Sequence, residues 1–306
     1  MVFNPLLIIE HNYNIPRTIE ALEHFLKDKF PDRVHLVPHY RGRASHIFPV
    51  YEHSIYFERY FSQTADLYYD KRFTHYIVIA DDLFLNPSIN YQNINDYLRL
   101  DNSSSFLPTP WGMLHELSFK WANTMSALNA FYSNDLYFHH APQWKEVFPP
   151  LEEAWQIFNK YGFKQGKLKF NWEKPNAAFP TRIKSLLYYI KLILRRRLSL
   201  PYPLIASYSE FFVVDSQAFL RFSELCETAG KMRLWVEVAI PTLLLLCSQN
   251  VIFEKDRNLH GKTYWTPNEV NNLIKRNEGH VKNLIQEFDN NTLYLHPIKL
   301  STWNYQ

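Results

Sequence analysis

The sequence predicts an α/β protein with a mainly parallel sheet flanked by helices, and three observations carry that expectation. The chain opens on strand, helix, strand: Leu6 to Glu10, Arg17 to Phe30 and Arg33 to Pro38. A right-handed crossover makes two such strands parallel. Next, the unbroken apolar run Tyr76 to Ala80 reads as a central strand, because only a strand covered on both faces needs apolar side chains at every position. Finally, that run stops on two adjacent aspartates, Asp81 and Asp82, at the carboxyl edge where open α/β sheets bind ligands.

Each further element follows from spacing. Pro16 stands at the start of the first helix, and Ile19, Leu22, Phe25, Leu26 and Phe30 recur at helical intervals that turn one face to the sheet. Ser54 to Phe73 reads as a helix with Ile55, Phe57, Tyr60, Phe61 and Leu67 inward. After Asn86-Pro87, Asn93 to Leu100 is helical, Ser103 to Pro110 a Ser/Pro loop, and Leu114 to Phe131 helical. Tyr132 to Pro149, with His139 and His140, has no regular pattern; loops of this kind often shape pockets. Pro150 to Tyr161 is a helix with Glu152 and Glu153 in its first turn, where the helix dipole favours acids. Pro203 to Asp215 reads as a strand that turns at Tyr208 to Glu210 and resumes, with Ser216 capping a helix over Gln217 to Thr228 that ends at Gly230. The apolar helix that follows Arg233 holds one acid, Glu237, which must be paired, protonated or turned to a polar cavity. A helix over Pro267 to Phe288 and a strand leading to His296, Pro297 and Lys299 complete the pattern.

Composition excludes several classes. Lys and Arg total 33 against 30 Asp and Glu, a balance that gives no electrostatic reason to expect nucleic acid as a partner. Seven glycines form neither G-x-G-x-x-G nor G-x-x-x-x-G-K, so a nucleotide would not be held by a Gly-rich phosphate loop. Cys226 and Cys247 have no framework spacing and fit a reducing cytosol. The start of the chain has no basic n-region, and the longest apolar segment, Leu234 to Cys247, is too short to span a bilayer. The cluster His35, His39, His46 and His53 fits no zinc spacing.

An apolar strand running into an acidic pair resembles the metal-binding motif of nucleotide-sugar glycosyltransferases of the GT-A fold. Asp-Asp-Leu stands here where Asp-x-Asp is commoner. The resemblance implies a single GT-A-like domain, 1–306, with a nucleotide-sugar donor half in residues 1–100 and an acceptor half in 101–306. It implies a Mn²⁺ or Mg²⁺ cofactor on the donor diphosphate, held by Asp81 and Asp82, with His296 or its rival His260 as a further ligand. His11, Asn12 and Tyr13 after the first strand would cradle the nucleotide, with Arg41 and Lys299 near the diphosphate. An acid at the acceptor would be Glu237, with Glu210 and Asp215 as substitutes. The implied reaction moves a sugar, UDP-linked by expectation, to a hydroxyl of a polysaccharide or lipid-linked glycan. Other readings of the same residues are open: Asp82 as a turn cap, Glu237 bonded to Arg233, a metal-dependent nucleotidyltransferase, or a catalytically silent glycan-binding or scaffold relative.

Arg182 to Arg197 carries six basic residues, no acid, and Ile183, Leu186, Leu187, Ile190, Leu192, Ile193 and Leu194. This composition suits a helix lying on anionic headgroups, and equally an amphipathic helix with a wet basic face. The first alternative makes the protein cytoplasmic and peripheral on the inner face of a membrane.

Overall fold

The computed structural model describes residues 3–118, 121, 123–132, 144–170 and 179–305. His139 and His140, and most of the loop expected around them, lie outside the described residues. Twelve strands are described: β1 (Pro5–Glu10), β2 (Arg33–Pro38), β3 (Ile47–Val50), β4 (His75–Ala80), β5 (Phe84–Leu85), β6 (Ser104–Leu107), β7 (Gly112–Met113), β8 (Ile205–Ala206), β9 (Phe211–Asp215), β10 (Asn250–Phe253), β11 (His260–Thr263) and β12 (Thr292–His296). The main sheet has the order β10-β6-β9-β4-β1-β2-β3. It is mixed: β3, β2, β1 and β4 are parallel, β9 runs against both β4 and β6, and β10 is parallel to β6. The protein is therefore α/β, with a seven-stranded mixed sheet flanked by helices.

The alternation of a strand divides the core in two. Leu6, Ile8, Tyr76, Val78, Phe212 and Val214 face the helices Glu58–Tyr68, Phe219–Lys231 and Val236–Cys247. Leu7, Ile9, Ile77, Ile79, Phe211 and Val213 face the helix Pro16–Leu26 and the small sheet β11-β12-β5. Both faces of β4 are covered, which is why every residue from His75 to Ala80 is buried. Tyr76 stacks on Phe219 with ring centroids 3.8 Å apart, joining the central strand to the helix behind it.

Several elements differ from the sequence reading. Ser104–Leu107 is a strand and not a loop, because Ser104 and Ser105 are buried and their hydroxyls have partners: Ser104 Oγ bonds Asp101 and Asn250, and Ser105 Oγ bonds Asp215 and Ser248. The helix expected over Ser54 to Phe73 is a short 3-10 turn followed by Glu58–Tyr68, and Leu67 is 60% exposed while Glu58 is buried. The helix expected to reach Phe288 stops at Arg276 and is followed by a 3-10 segment, Val281–Glu287. β3 and β10 extend the sheet at its two edges.

Asp215 marks the sharpest correction. Because β9 is antiparallel to β4, Asp215 pairs with His75 at the amino edge, about 20 Å from Asp81 at the usual rise per residue. There Asp215 Oδ1 fixes the turn that leads into the helix Phe219–Lys231 by accepting from the N–H groups of Gln217 (3.1 Å) and Ala218 (3.0 Å), while Oδ2 accepts from Ser105 Oγ (2.9 Å); Ala218, and not Ser216, is the N-cap residue. It is a buried structural acid and not an alternative base. Asp215→Ala should lower stability by about 2–4 kcal/mol, since the Ser105 hydroxyl and two turn N–H groups lose a buried charged acceptor. A urea midpoint equal to the wild type would contradict this role.

Candidate functional site

The carboxyl edge of β1 and β4 collects the polar groups. The two strands pair with Glu10 opposite Ala80, and the Asp81 N–H continues the ladder to Glu10 O (2.8 Å), so His11 and Asp81 emerge side by side. Asn12 Nδ2 donates to Asp81 Oδ1 (2.8 Å). Behind them His11 Nε2 meets His35 Nδ1 (2.9 Å), and His35 Nε2 meets Glu23 Oε1 (2.8 Å). Arg33 grips both oxygens of Glu23. Burial alone would raise the Glu23 carboxyl, but hydrogen bonds from His35 and Arg33 hold it well below the usual carboxylate range. An ionised Glu23 only accepts, so His35 Nε2 carries the proton and His35 Nδ1 accepts from His11 Nε2. Burial pushes His35 down to about 4, which agrees with the neutral ring this chain of bonds requires. His11 Nδ1 lies 3.5 Å from Asp81 Oδ2 and makes no hydrogen bond.

Asp82 is held from the other side. β12 pairs antiparallel with β5, and the Ile298 N–H donates to Asp82 O (2.5 Å), which brings His296 Nε2 to 3.2 Å from Asp82 Oδ1. Burial lowers the His296 pKa, but the contact with Asp82 and the fields of Glu210, Asp82 and Asp81 outweigh it and leave it raised. Asp82 Oδ1 is buried and pairs with the ring in charge without the alignment of a hydrogen bond. Once Nε2 gives up its proton, two donor atoms at this separation fit one divalent ion at bond lengths of about 2.1 Å, and Mg²⁺-type sites take their remaining ligands from phosphates and water. Asp82 and His296 thus fit the implied metal, while Asp81 is engaged by Asn12.

Among the described residues, one group of three possible ligands lies within 4.8 Å: Glu23, His35 and His46. Sequence spacing could not bring it together. Arg33 already supplies the counter-charge to Glu23, so these residues form a clasp that orients His11. His260, the rival ligand, does not belong to the site. It pairs with Thr292 at the far end of β12, about 13 Å from His296 by strand rise, and bonds Thr292 and faces Asp289.

Two further acids come from the residue before β9 and from the helix behind it. The Ala80 N–H donates to Glu210 O (2.9 Å), which fixes Glu210 one residue from Asp81. Pro241 sits inside the helix Val236–Cys247 and has no N–H for the carbonyl four residues back, that of Glu237. That carbonyl instead accepts from the Ser207 N–H (3.0 Å), tying the helix start to the segment that carries Glu210. Glu237 Oε2 accepts from Trp235 Nε1 (2.9 Å), and no contact with Arg233 forms, because Arg233 pairs with Glu52 and lies over the Tyr56 ring. Burial, then the charge of Glu210, push the Glu237 carboxyl up to about 7, against bonds from Trp235 and Asn123 and the charge of His296.

Sequence reasoning missed an aromatic face beside these acids. Trp111, Tyr208 and Trp265 come from three separate segments, with centroids 5.0 Å apart for Trp111 and Tyr208 and 5.3 Å for Tyr208 and Trp265; Trp265 is 66% exposed. Burial raises the Tyr208 hydroxyl to about 12, helped by the nearby charges of Glu210, Glu237 and Glu254. Also missed were Glu10 and Glu58, buried acids whose carboxyls burial raises well above the usual range. The other expected donor residues are near the edge but open: Tyr13 is 62% exposed, Arg41 lies in the exposed loop after β2, and Lys299 is exposed next to Ile298.

No protein-family model, no curated protein and no solved structure matches this chain. The site therefore stands on its own geometry. Its titration gives a direct check. Glu237 is raised in the folded state, so its contribution to stability is fully present below about pH 4.5 and is lost as pH rises through about 7. Glu237→Gln removes that loss, and should gain up to about 3 kcal/mol over the wild type on going from pH 5 to pH 8. Parallel unfolding curves for the two proteins across that range would refute the burial argument.

Proposed function

We propose that the protein is a metal-dependent glycosyltransferase of GT-A type, moving a sugar from a nucleotide diphosphate sugar to a hydroxyl of a glycan or lipid-linked glycan. The observation that carries this reading is the meeting, at one sheet edge, of the Asp82–His296 pair, the near-neutral Glu237 beside Glu210, and an exposed aromatic face. A diphosphate needs positive charge where it departs, an acceptor hydroxyl needs a base poised near neutral pH, and a pyranose ring stacks well on indole and phenol. A parallel unit on one side of β4 and an antiparallel strand carrying Glu210 on the other also suit separate donor and acceptor halves.

When bound at Asp82 and His296, a divalent ion supplies Lewis-acid charge to the leaving diphosphate. The chain's own residues do the rest. Asn12, with the His11–His35–Glu23 clasp behind it, orients Asp81 at the donor side. In an inverting transfer, the Glu237 carboxylate takes the acceptor hydroxyl proton as the new C–O bond forms and the sugar–phosphate bond breaks. Glu210 keeps Glu237 basic by repulsion, and the aromatic face of Trp111, Tyr208 and Trp265 holds the acceptor ring.

Two measurements test this. Asp82→Ala should abolish the Mn²⁺-dependent part of UDP or UDP-sugar affinity in calorimetry while the melting curve stays cooperative; unchanged affinity in Mn²⁺ sinks the donor site. Glu237→Gln should reduce sugar transfer by about 10² or more with donor affinity preserved. Full transfer activity in that variant would move the chemistry away from Glu237.

A further inference from the structure

We propose that the helix Phe179–Leu194 lies flat on an anionic lipid surface and docks the protein there through an apolar ridge flanked by basic side chains. At 3.6 residues per turn, Ile183, Leu187, Ile190 and Leu194 fall within about 60° of one another. All four point outward, with exposures of 39%, 61%, 42% and 79%. Ser185 and Leu192, about 180° away on the same wheel, are buried against the protein. The helix is therefore seated by one face and offers leucine and isoleucine to its surroundings on the other, the reverse of a helix that folds its apolar stripe onto the core.

Charge selects the occupant. Lys184, Lys191 and Arg195 line one flank of the ridge and are exposed, and no acid occurs from Phe179 to Leu200. A second copy docking ridge to ridge would bring these cations together with nothing on the helix to neutralise them. A lipid surface meets both requirements, since acyl chains take the ridge while headgroup phosphates take the lysines and arginine. Arg197 plays another part, lying over the Tyr132 ring at 4.7 Å and fastening the helix end to the body of the protein. Among the described residues, no helix is long and apolar enough to cross a membrane, so the helix is placed in the plane of the interface.

Sedimentation of the purified full chain with vesicles tests this without reference to its activity. The wild type should pellet with phosphatidylcholine–phosphatidylglycerol vesicles and stay in solution with pure phosphatidylcholine. Lys184→Gln with Lys191→Gln should weaken binding by about 25-fold, fivefold for each charge removed near the surface. Leu187→Gln with Ile190→Gln should weaken it at least as much, with an unchanged melting curve because both side chains are exposed. The proposal fails if the wild type ignores anionic vesicles, or if the apolar double variant binds like the wild type. It also fails if sedimentation equilibrium finds a dimer that the apolar variant dissolves while vesicles capture neither protein.

Discussion

The register between β1 and β4 is the constraint on which the site depends. Two parallel strands ending level, Glu10 against Ala80, deliver His11, Asn12, Asp81 and Asp82 to one edge, and the next strand over adds Glu210. A shift of β1 by one residue would turn its own side chains to the opposite face and part His11 and Asn12 from Asp81. Register here is secured by burial on both faces of the two strands, so the most apolar part of the molecule positions its most polar part.

So many acids in one place would repel each other unless each were treated differently. Asp81 is given the Asn12 amide, Asp82 is given a histidine, Glu23 is given Arg33, and burial raises the Glu10 and Glu58 carboxyls well above the usual range. Glu237 receives an intermediate treatment, with one indole donor and one nearby like charge. The histidine pair behind Asp81 adds direction, because an ionised Glu23 places the His35 proton on Nε2 and leaves Nδ1 to accept from His11.

The parts of the fold legible in the sequence were those where one local rule had no competitor. Continuous apolar runs gave β1 and β4, and Pro16 with helical spacing gave the first helix. β6 was hidden because its serines are satisfied by partners over a hundred residues away, which no local pattern records. Periodicity is also blind to strand direction: Glu210 and Asp215 stand at opposite ends of the same strand, and only the antiparallel pairing with β4 separates the edge acid from the one that fixes a turn. His260 was misplaced for the same reason, since two histidines on neighbouring strands are close only if the register brings them level. Glu237, by contrast, announced itself as a lone acid in an apolar helix, though the role of Pro241 in aiming it required the carbonyl's new partner.

The clamp of β12 on β5 has a consequence in time. Asn86 Nδ2 bonds Thr292 O across 206 residues of chain, and the same strand carries the histidine that faces Asp82. At ribosomal speeds of about 5–20 residues per second, roughly 10–40 s pass between emergence of the aspartate turn and arrival of its partner. Throughout that interval the βαβ unit can fold, yet its acidic edge has no imidazole opposite it. The pairing of Asp82 with His296 is therefore acquired late, and a nascent chain that already holds β1 to β5 still lacks it.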